Sequence, residues 1–260
     1  MFYMKKYILD MMVNSNCRIH KNYCLLKLGT IDVLPEMLPG QFVEVKVDHS
    51  PSTFLRRPIS INFVDRDTNE LWLLIQIVGD GTKQMAEYKP GDIINVELPL
   101  GNSFSIPGNR NDSLLLIGGG VGVAPMLYLG AFLRKQGFNP TFLLGARSQE
   151  DVLQSDLFHQ YGEVYITTEN GSLGEKGFVT DHTIFQNSFD FIYACGPKPM
   201  MMAVAKSAFQ RNIVCEVSLE NKMACGIGAC LCCIEKTTEG NVCVCSEGPV
   251  FNIKKLKWQN

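Results

Sequence analysis

The sequence predicts a multidomain α+β chain: an antiparallel β-barrel, then a parallel α/β domain, then a small cysteine-rich C-terminal domain. Three observations predict it. Residues 6–100 run in short apolar stretches broken by glycine and proline, the pattern of strands bounded by turns. Beyond residue 113 apolar strands alternate with helical stretches, the signature of a parallel sheet. Six of the ten cysteines then crowd into the stretch from Cys225 to Pro249. The boundaries expected from these shifts are 1–110, 111–218 and 219–260.

In the first part, strands are expected at 23–28, 41–47, 58–63, 71–78 and 93–98. Leu38-Pro39-Gly40-Gln41 and Lys89-Pro90-Gly91-Asp92 are turn signals about fifty residues apart. Short strands joined by such turns give a small barrel rather than a helical unit. Within it, Arg57-Pro58-Ile59-Ser60 presents a permanent cation and a hydroxyl on a proline-fixed extended segment, a combination suited to a pyrophosphate and a flavin edge. By itself an arginine before proline reads by default as a surface ion pair, and the next segment is what points to a ligand. The strand at 71–78 runs into Gly79-Asp80-Gly81-Thr82, with a short helix expected at 83–88. Glycines before a helix let backbone amides, and here the Thr82 hydroxyl, reach a phosphate.

In the second part, the polar residues 109–112 lead to a strand at 113–117, then Gly118-Gly119-Gly120-Val121-Gly122-Val123-Ala124-Pro125, then a helix at 126–135. Strand, glycine loop and helix in that order make a phosphate-binding turn, with Gly119, Gly120 and Gly122 as its candidate contacts. Ala124 and Pro125 depart from the strict G-x-G-x-x-G fingerprint. Further strands are expected at 140–146 and 189–194, the second leading into Cys195-Gly196-Pro197 and a helix at 199–211 with proline near its start. Ligands of parallel sheets sit at the carboxyl ends of the strands, so Cys195, Gly196 and Pro197 join the glycine loop as candidates. No histidine stands near Cys195 to generate a thiolate; His20, His49, His159 and His182 share no motif and read as surface or packing residues. The run Met200 to Met202 reads as helix packing.

The third part carries Cys225, Cys230 and Cys233 at C-x4-C-x2-C, followed by Cys243 and Cys245. This is the spacing of a plant-type [2Fe-2S] loop. Gly226 and Gly228 allow the tight curl that brings thiolates to one small cluster, and amides along the loop can point at its sulfides. A zinc site prefers paired short spacings, and a disulfide framework suits shorter secreted chains. Cys232 beside Cys233, and Cys243 two residues before Cys245, leave the ligand set open: on a strand at 242–244, Cys243 and Cys245 share one face.

Composition narrows the class. With 46% hydrophobic and 19% charged residues in 260, the chain is globular and long enough for two modest domains and an appendage. A net charge of -2, with no basic run beyond Lys254-Lys255, gives no reason to expect nucleic acid. No apolar stretch approaches membrane-spanning length. The patch behind Lys5 and Lys6 is short and broken by Asp10, so no signal peptide is read and the cytoplasm is expected.

Taken in order, the segments RPIS, GDGT, GGGVGVAP and CGPKPMM resemble the ferredoxin-NADP reductase superfamily. With MACGIGACLCC and CSEGPVF added, nearly the whole chain is similar to the electron transfer subunits of type B dihydroorotate dehydrogenases. The resemblance implies FAD contacts at Arg57, Pro58, Ile59 and Ser60, at Leu74, Ile75 and Gln76, and at Gly81 and Thr82. It implies an NAD-binding second domain and cluster ligation by Cys225, Cys230, Cys233 and Cys245, which is what selects Cys245 over Cys243. It implies a catalytic partner subunit carrying FMN, in a heterotetramer of two subunits of each kind. Electrons would pass from that FMN through the [2Fe-2S] cluster and FAD to NAD+, in pyrimidine biosynthesis. Such a relay needs no protein acid or base, and none is nominated. Another NAD(P)H-linked iron-sulfur flavoprotein reductase subunit, of hydrogenase or transhydrogenase type, a stand-alone NADH oxidoreductase and a zinc-stabilised binding module are the alternatives.

Overall fold

The computed structural model describes residues 5–48, 50 and 52–258; His49 lies outside them. Its first unit is a closed six-stranded barrel in the order β1-β2-β5-β4-β3-β6. The strands are β1 (Tyr7–His20), β2 (Tyr23–Gly29), β3 (Phe42–Val45), β4 (Arg57–Asp65), β5 (Glu70–Gln76) and β6 (Ile93–Leu100), with α1 (Asp80–Met85) between the last two. All neighbouring strands pair antiparallel. Side chains alternate across each strand, so Met11, Val13, Leu26, Leu28, Val43, Val45, Leu71 and Leu73 fill the barrel.

The second unit is a seven-stranded sheet in the order β10-β9-β8-β7-β11-β12-β15. Its first strands are β7 (Leu114–Gly119), β8 (Pro140–Ala146), β9 (Glu163–Thr168) and β10 (Glu175–Lys176), with α2 (Val123–Lys135) and α3 (Ser155–Phe158) between them. The chain then adds β11 (Phe191–Cys195), α4 (Lys198–Gln210) and β12 (Val214–Ser218) on the other side of β7. Six strands run parallel and β15 (Val250–Asn252) is antiparallel to β12. Strand order reverses between β7 and β11, which opens a crevice at their carboxyl ends. β7 is buried along its whole length because parallel strands are covered on both faces.

The C-terminal stretch forms the cysteine loop, a hairpin of β13 (Ile234–Thr237) and β14 (Gly240–Cys243), and α5 (Val244–Glu247), before returning as β15. The segment therefore lends a strand to the neighbouring sheet. Asn102 ties it to the barrel: its amide nitrogen donates to Glu247 O at 3.0 Å and Val250 O at 3.1 Å, and its oxygen accepts from Val250 N at 3.0 Å.

Several expected elements differ. The short helix starts at Asp80 rather than 83, so Gly81 and Thr82 lie in its first turn. Residues 242–244 are not one strand: β14 ends at Cys243 and Cys245 sits in α5. β1, β9 and β12 were not anticipated, because mixed polar runs such as EVYITT carry no strong period.

The joint between barrel and sheet is built around α2. Nine of its thirteen residues are buried, including Met126, Tyr128 and Leu129, because it packs on β7 behind and on β4 of the barrel in front. Polar groups caught there are paired. Asn62 on β4 is fully buried; its amide donates to Ala124 O at 3.2 Å and to Gln154 Oε1 at 3.1 Å, and its oxygen accepts from Gln154 Nε2 at 3.0 Å. Tyr128 donates to Met37 O at 2.8 Å.

One buried group has no such partner. Glu44 on β3 is fully buried, and neither carboxylate oxygen has a hydrogen-bond partner among the described residues. Burial, together with the nearby Glu97, pushes its pKa up to about 7 against the opposing pull of Arg56.

Two outcomes are expected. Asn62→Ala removes three hydrogen bonds at the joint and strands Gln154, lowering the unfolding free energy by about 1–3 kcal/mol in urea denaturation. For Glu44, a folded pKa of about 7 against an ordinary 4.5 means that the folded chain holds a proton the unfolded one has lost between those values. Its contribution to stability is thus complete below pH 4.5 and declines as pH rises to about 7; Glu44→Gln should flatten this slope in thermal melts across that range.

Candidate functional site

Three candidate sites lie along the line where barrel, sheet and C-terminal loop meet. The first is on the barrel. Arg57, Pro58, Ile59 and Ser60 are all half-buried, a partly open strip on an otherwise closed strand pair. Pro58 and Ser60 face outward while Ile59 packs on the barrel interior. The two adjacent arginines have different work. Arg56 donates to the carbonyls of Glu44 and Asn95 at 3.2 and 3.1 Å and braces β3 against β6. Arg57 donates to Leu55 O at 2.9 Å and lies across Gly81, where a Cβ would be 2.7 Å from its Nε. The fold thus brings Arg57-Pro58-Ile59-Ser60 and Gly79-Asp80-Gly81-Thr82 together.

In α1 the Lys83 amide is the first to bond back, to Gly79 O at 2.9 Å, which leaves the first-turn amides without intrahelical acceptors. The Thr82 hydroxyl is turned inward, contrary to the expectation that it reaches outward. It accepts from Val78 N at 2.9 Å and Gly79 N at 3.1 Å and donates to Gly79 O. A permanent cation beside free amides and a half-open strand suits a flavin dinucleotide. Leu74 and Ile75 are buried, Leu74 toward the sheet and Ile75 into the barrel, so only their backbones can serve such a ligand. Gln76 reaches the neighbouring cleft.

The second site is that cleft, about 580 Å³, at the carboxyl ends of β7, β8, β9 and β11. Gly119, Gly120, Gly196 and Pro197 form its sheet wall, and Asn22, Tyr23 and Gln76 its barrel wall. The glycine loop and the Cys195 turn are neighbours because Cys195 and Gly118 pair across β11 and β7. Gly122 and Cys195 stand behind the wall rather than in it. A Cβ at Gly122 would come within 2.4 Å of Cys195 O, so this glycine allows loop and turn to close on each other. Cys195 is fully buried, and burial pushes its thiol well above the ordinary range, which suits packing rather than attack. Its Sγ donates to Glu220 Oε1 at 4.0 Å. Glu220 reaches into the open cleft yet is crowded by protein, and that desolvation raises its pKa.

Tyr23, Arg147, Glu169 and Glu220 were not singled out from sequence. Glu169 follows β9 and Glu220 follows β12, the two strands whose mixed patterns concealed them. Met200 lines the cleft, whereas Met201 packs in the core and Met202 is exposed. The described histidines are ordinary: His182 is buried and accepts from Ile184 N at 3.0 Å, His159 is exposed, and His20 lies 6.0 Å from the Tyr23 ring centre.

The third site is the cysteine loop. Gly226 and Gly228 have φ of +66° and +82°, the left-handed conformations its curl requires. Amides turn onto sulfurs: Ala229 N and Cys230 N donate to Cys225 Sγ at 3.3 and 3.4 Å, Gly228 N to Cys245 Sγ at 3.1 Å, and Cys245 N to Cys233 Sγ at 3.4 Å. Burial opposes ionisation of Cys225, but the amides of Ile227, Cys230 and Ala229 and the Cys230 side chain outweigh it and lower the thiol to about 6. Cys243 differs in its contact, since its Sγ donates to the Gly228 carbonyl at 3.8 Å whereas the Cys245 sulfur accepts from the Gly228 amide; burial raises both thiols. Cys232 is exposed and bonds to none of these sulfurs.

The thiols fall into two pairs, Cys225 with Cys230 and Cys233 with Cys245, each linked by the backbone amide of the later cysteine donating to the sulfur of the earlier one at 3.4 Å. Two pairs, each able to take one iron, with amides aimed at sulfur, suit a two-iron cluster.

Known proteins agree with this geometry. Residues 220–257 match the iron-sulfur cluster binding domain of dihydroorotate dehydrogenase B, and residues 116–206 match the oxidoreductase NAD-binding domain. The chain is 38% identical over 250 residues to the dihydroorotate dehydrogenase B (NAD(+)) electron transfer subunit of Fusobacterium nucleatum, covering 93% of this chain and 95% of that one. It is 42% identical over 242 residues to the subunit of the same name from Listeria monocytogenes, covering 91% and 93%. Among solved structures, a chain of an NADH-dependent reduced ferredoxin-NADP oxidoreductase superposes with a TM-score of 0.86 at 28% identity, covering 95% of this chain and 90% of that one. The cofactors are FAD and a [2Fe-2S] cluster, with NAD as substrate. Cysteine loop, glycine-walled cleft and flavin strip on one chain, with these relatives along nearly its whole length, show that it belongs to the family of dihydroorotate dehydrogenase B (NAD(+)) electron transfer subunits.

Proposed function

We propose that this subunit takes electrons from the FMN of a dihydroorotate dehydrogenase catalytic subunit and delivers them to NAD+, within a heterotetramer of two subunits of each kind. The observation that carries this reading is the paired arrangement of Cys225 with Cys230 and Cys233 with Cys245 in a loop that packs on Glu44, the β3 neighbour of the barrel strip. When bound, the cluster supplies single-electron carriage and the flavin supplies the exchange between single electrons and hydride.

The chain's own residues bind, orient and shelter. Arg57 and the first-turn amides of α1 neutralise the FAD pyrophosphate, while Pro58, Ile59 and Ser60 and the backbones of Leu74, Ile75 and Gln76 receive the rest of that cofactor. Gly81 leaves room for the arginine, and Thr82 holds the turn. Gly119, Gly120, Gly196 and Pro197 offer NAD+ a wall without large side chains, and Gly122 and Cys195 set that wall's shape. Amides directed at Cys225, Cys233 and Cys245 disperse the negative charge of the cluster thiolates. Residues 1–110, 111–218 and 219–260 on this reading hold FAD, NAD and the cluster respectively.

We assign the protein to the cytoplasm. All ten cysteines are unpaired, as befits a reducing compartment, and no described helix is long and apolar enough to cross a membrane.

Cys230→Ser removes one cluster ligand. The purified variant should lose its cluster absorbance and iron while keeping FAD, and dihydroorotate-dependent NAD+ reduction with the FMN subunit should disappear; retained coupled turnover would sink the relay. Arg57→Ala removes the cation over Gly81, and about a tenfold weaker hold on FAD is expected, read as flavin lost on gel filtration. Sedimentation of the mixed subunits tests the two-plus-two assembly.

A further inference from the structure

We propose that Tyr23, a barrel residue, is a binding residue for NAD+, its hydroxyl donating a hydrogen bond to the dinucleotide's pyrophosphate from beside the glycine loop. This rests on the reading of the 580 Å³ cleft as the NAD+ site. Tyr23 opens β2, immediately after the β1–β2 turn, and its hydroxyl stands beside the loop at the cleft wall: a Cβ at Gly120 would be 3.9 Å from it. A phosphate lying on the Gly119 and Gly120 backbone is therefore within reach of the phenol.

The hydroxyl is aimed as well as near. Gln76 Nε2 donates to the Tyr23 oxygen at 3.3 Å, so the phenol hydrogen turns away from Gln76. The ring is already ordered, since Tyr23 is only 7% exposed and packs with Leu74, Phe104 and Val250 in the core shared with the sheet. Little side-chain entropy remains to be lost on binding. Desolvation, helped by the carboxylate of Asp151, raises its pKa, which keeps the donor proton in place. The bond also spans the joint, because Tyr23 belongs to the barrel and Gly120 to the sheet unit.

The test is calorimetric titration of NAD+ and of ADP-ribose, which shares the pyrophosphate, into the oxidised holoprotein and two variants. Tyr23→Phe keeps the ring and removes the donor; Kd for both ligands should rise about tenfold, with thermal midpoint and FAD content unchanged. A Kd within twofold of the parent, or a lowered midpoint at unchanged Kd, would assign Tyr23 to packing and overturn the inference. A loss for NAD+ without one for ADP-ribose would overturn the pyrophosphate contact. Ala203→Trp fills the cleft from its α4 side and should abolish binding of both ligands. Unchanged affinity there would overturn the cleft as the NAD+ site, and the Tyr23 contact with it. Abolished affinity alongside an unaffected Tyr23→Phe would overturn the Tyr23 contact alone.

Discussion

A helix buried between two units over its first eight residues holds this molecule together. α2 is pressed on one side by β7 and on the other by the β4 strand of the barrel, and its polar surroundings are satisfied across the joint by Asn62, Gln154 and Tyr128. Because such an interior is close-packed, it fixes the barrel against the sheet with little room for sliding. The distance between flavin strip and dinucleotide cleft is set by that contact, since β4 carries the strip and the loop before α2 forms the cleft wall.

Around this joint the chain solves two different electrostatic problems with the same group, the backbone amide. At α1 and at the glycine loop, amides left over at the start of a helical turn are the groups proposed to meet phosphate charge. In the cysteine loop they turn onto sulfur, and three of them, with the Cys230 side chain, bring the Cys225 thiol down to about 6. Amides serve because their positions are fixed by folding, so no reorganisation is needed when charge arrives. The Gly228 peptide separates Cys245 from Cys243 by geometry, its amide donating to the first sulfur and its carbonyl accepting from the second.

Glu44 breaks the pattern. It is buried next to the cysteine loop, where a side chain on Gly226 would lie 2.9 Å from its Cγ, and on β3 it pairs with Pro58 of the flavin strip. A carboxyl with neither oxygen bonded costs the fold stability once it ionises. It adjoins both the loop meant for the cluster and the strand meant for the flavin.

By itself the sequence determined what depends on local spacing. The interval between Cys225, Cys230 and Cys233, the change of period after residue 113, the glycine loop and the arginine-proline segment each impose a backbone or a charge where they stand, and each could be read residue by residue. Tertiary structure decided what depends on where distant segments meet. Arg57 rather than Arg56 lies on Gly81, and Gly122 and Cys195 back the cleft instead of lining it. Glu169 and Glu220 arrive there from strands whose mixed side chains give no period of their own, and Tyr23 from a legible strand whose place against the sheet unit no local pattern shows. A strand's pairing partners, and a cleft's walls, are fixed by burial summed over the whole chain, and no window of ten residues contains that sum.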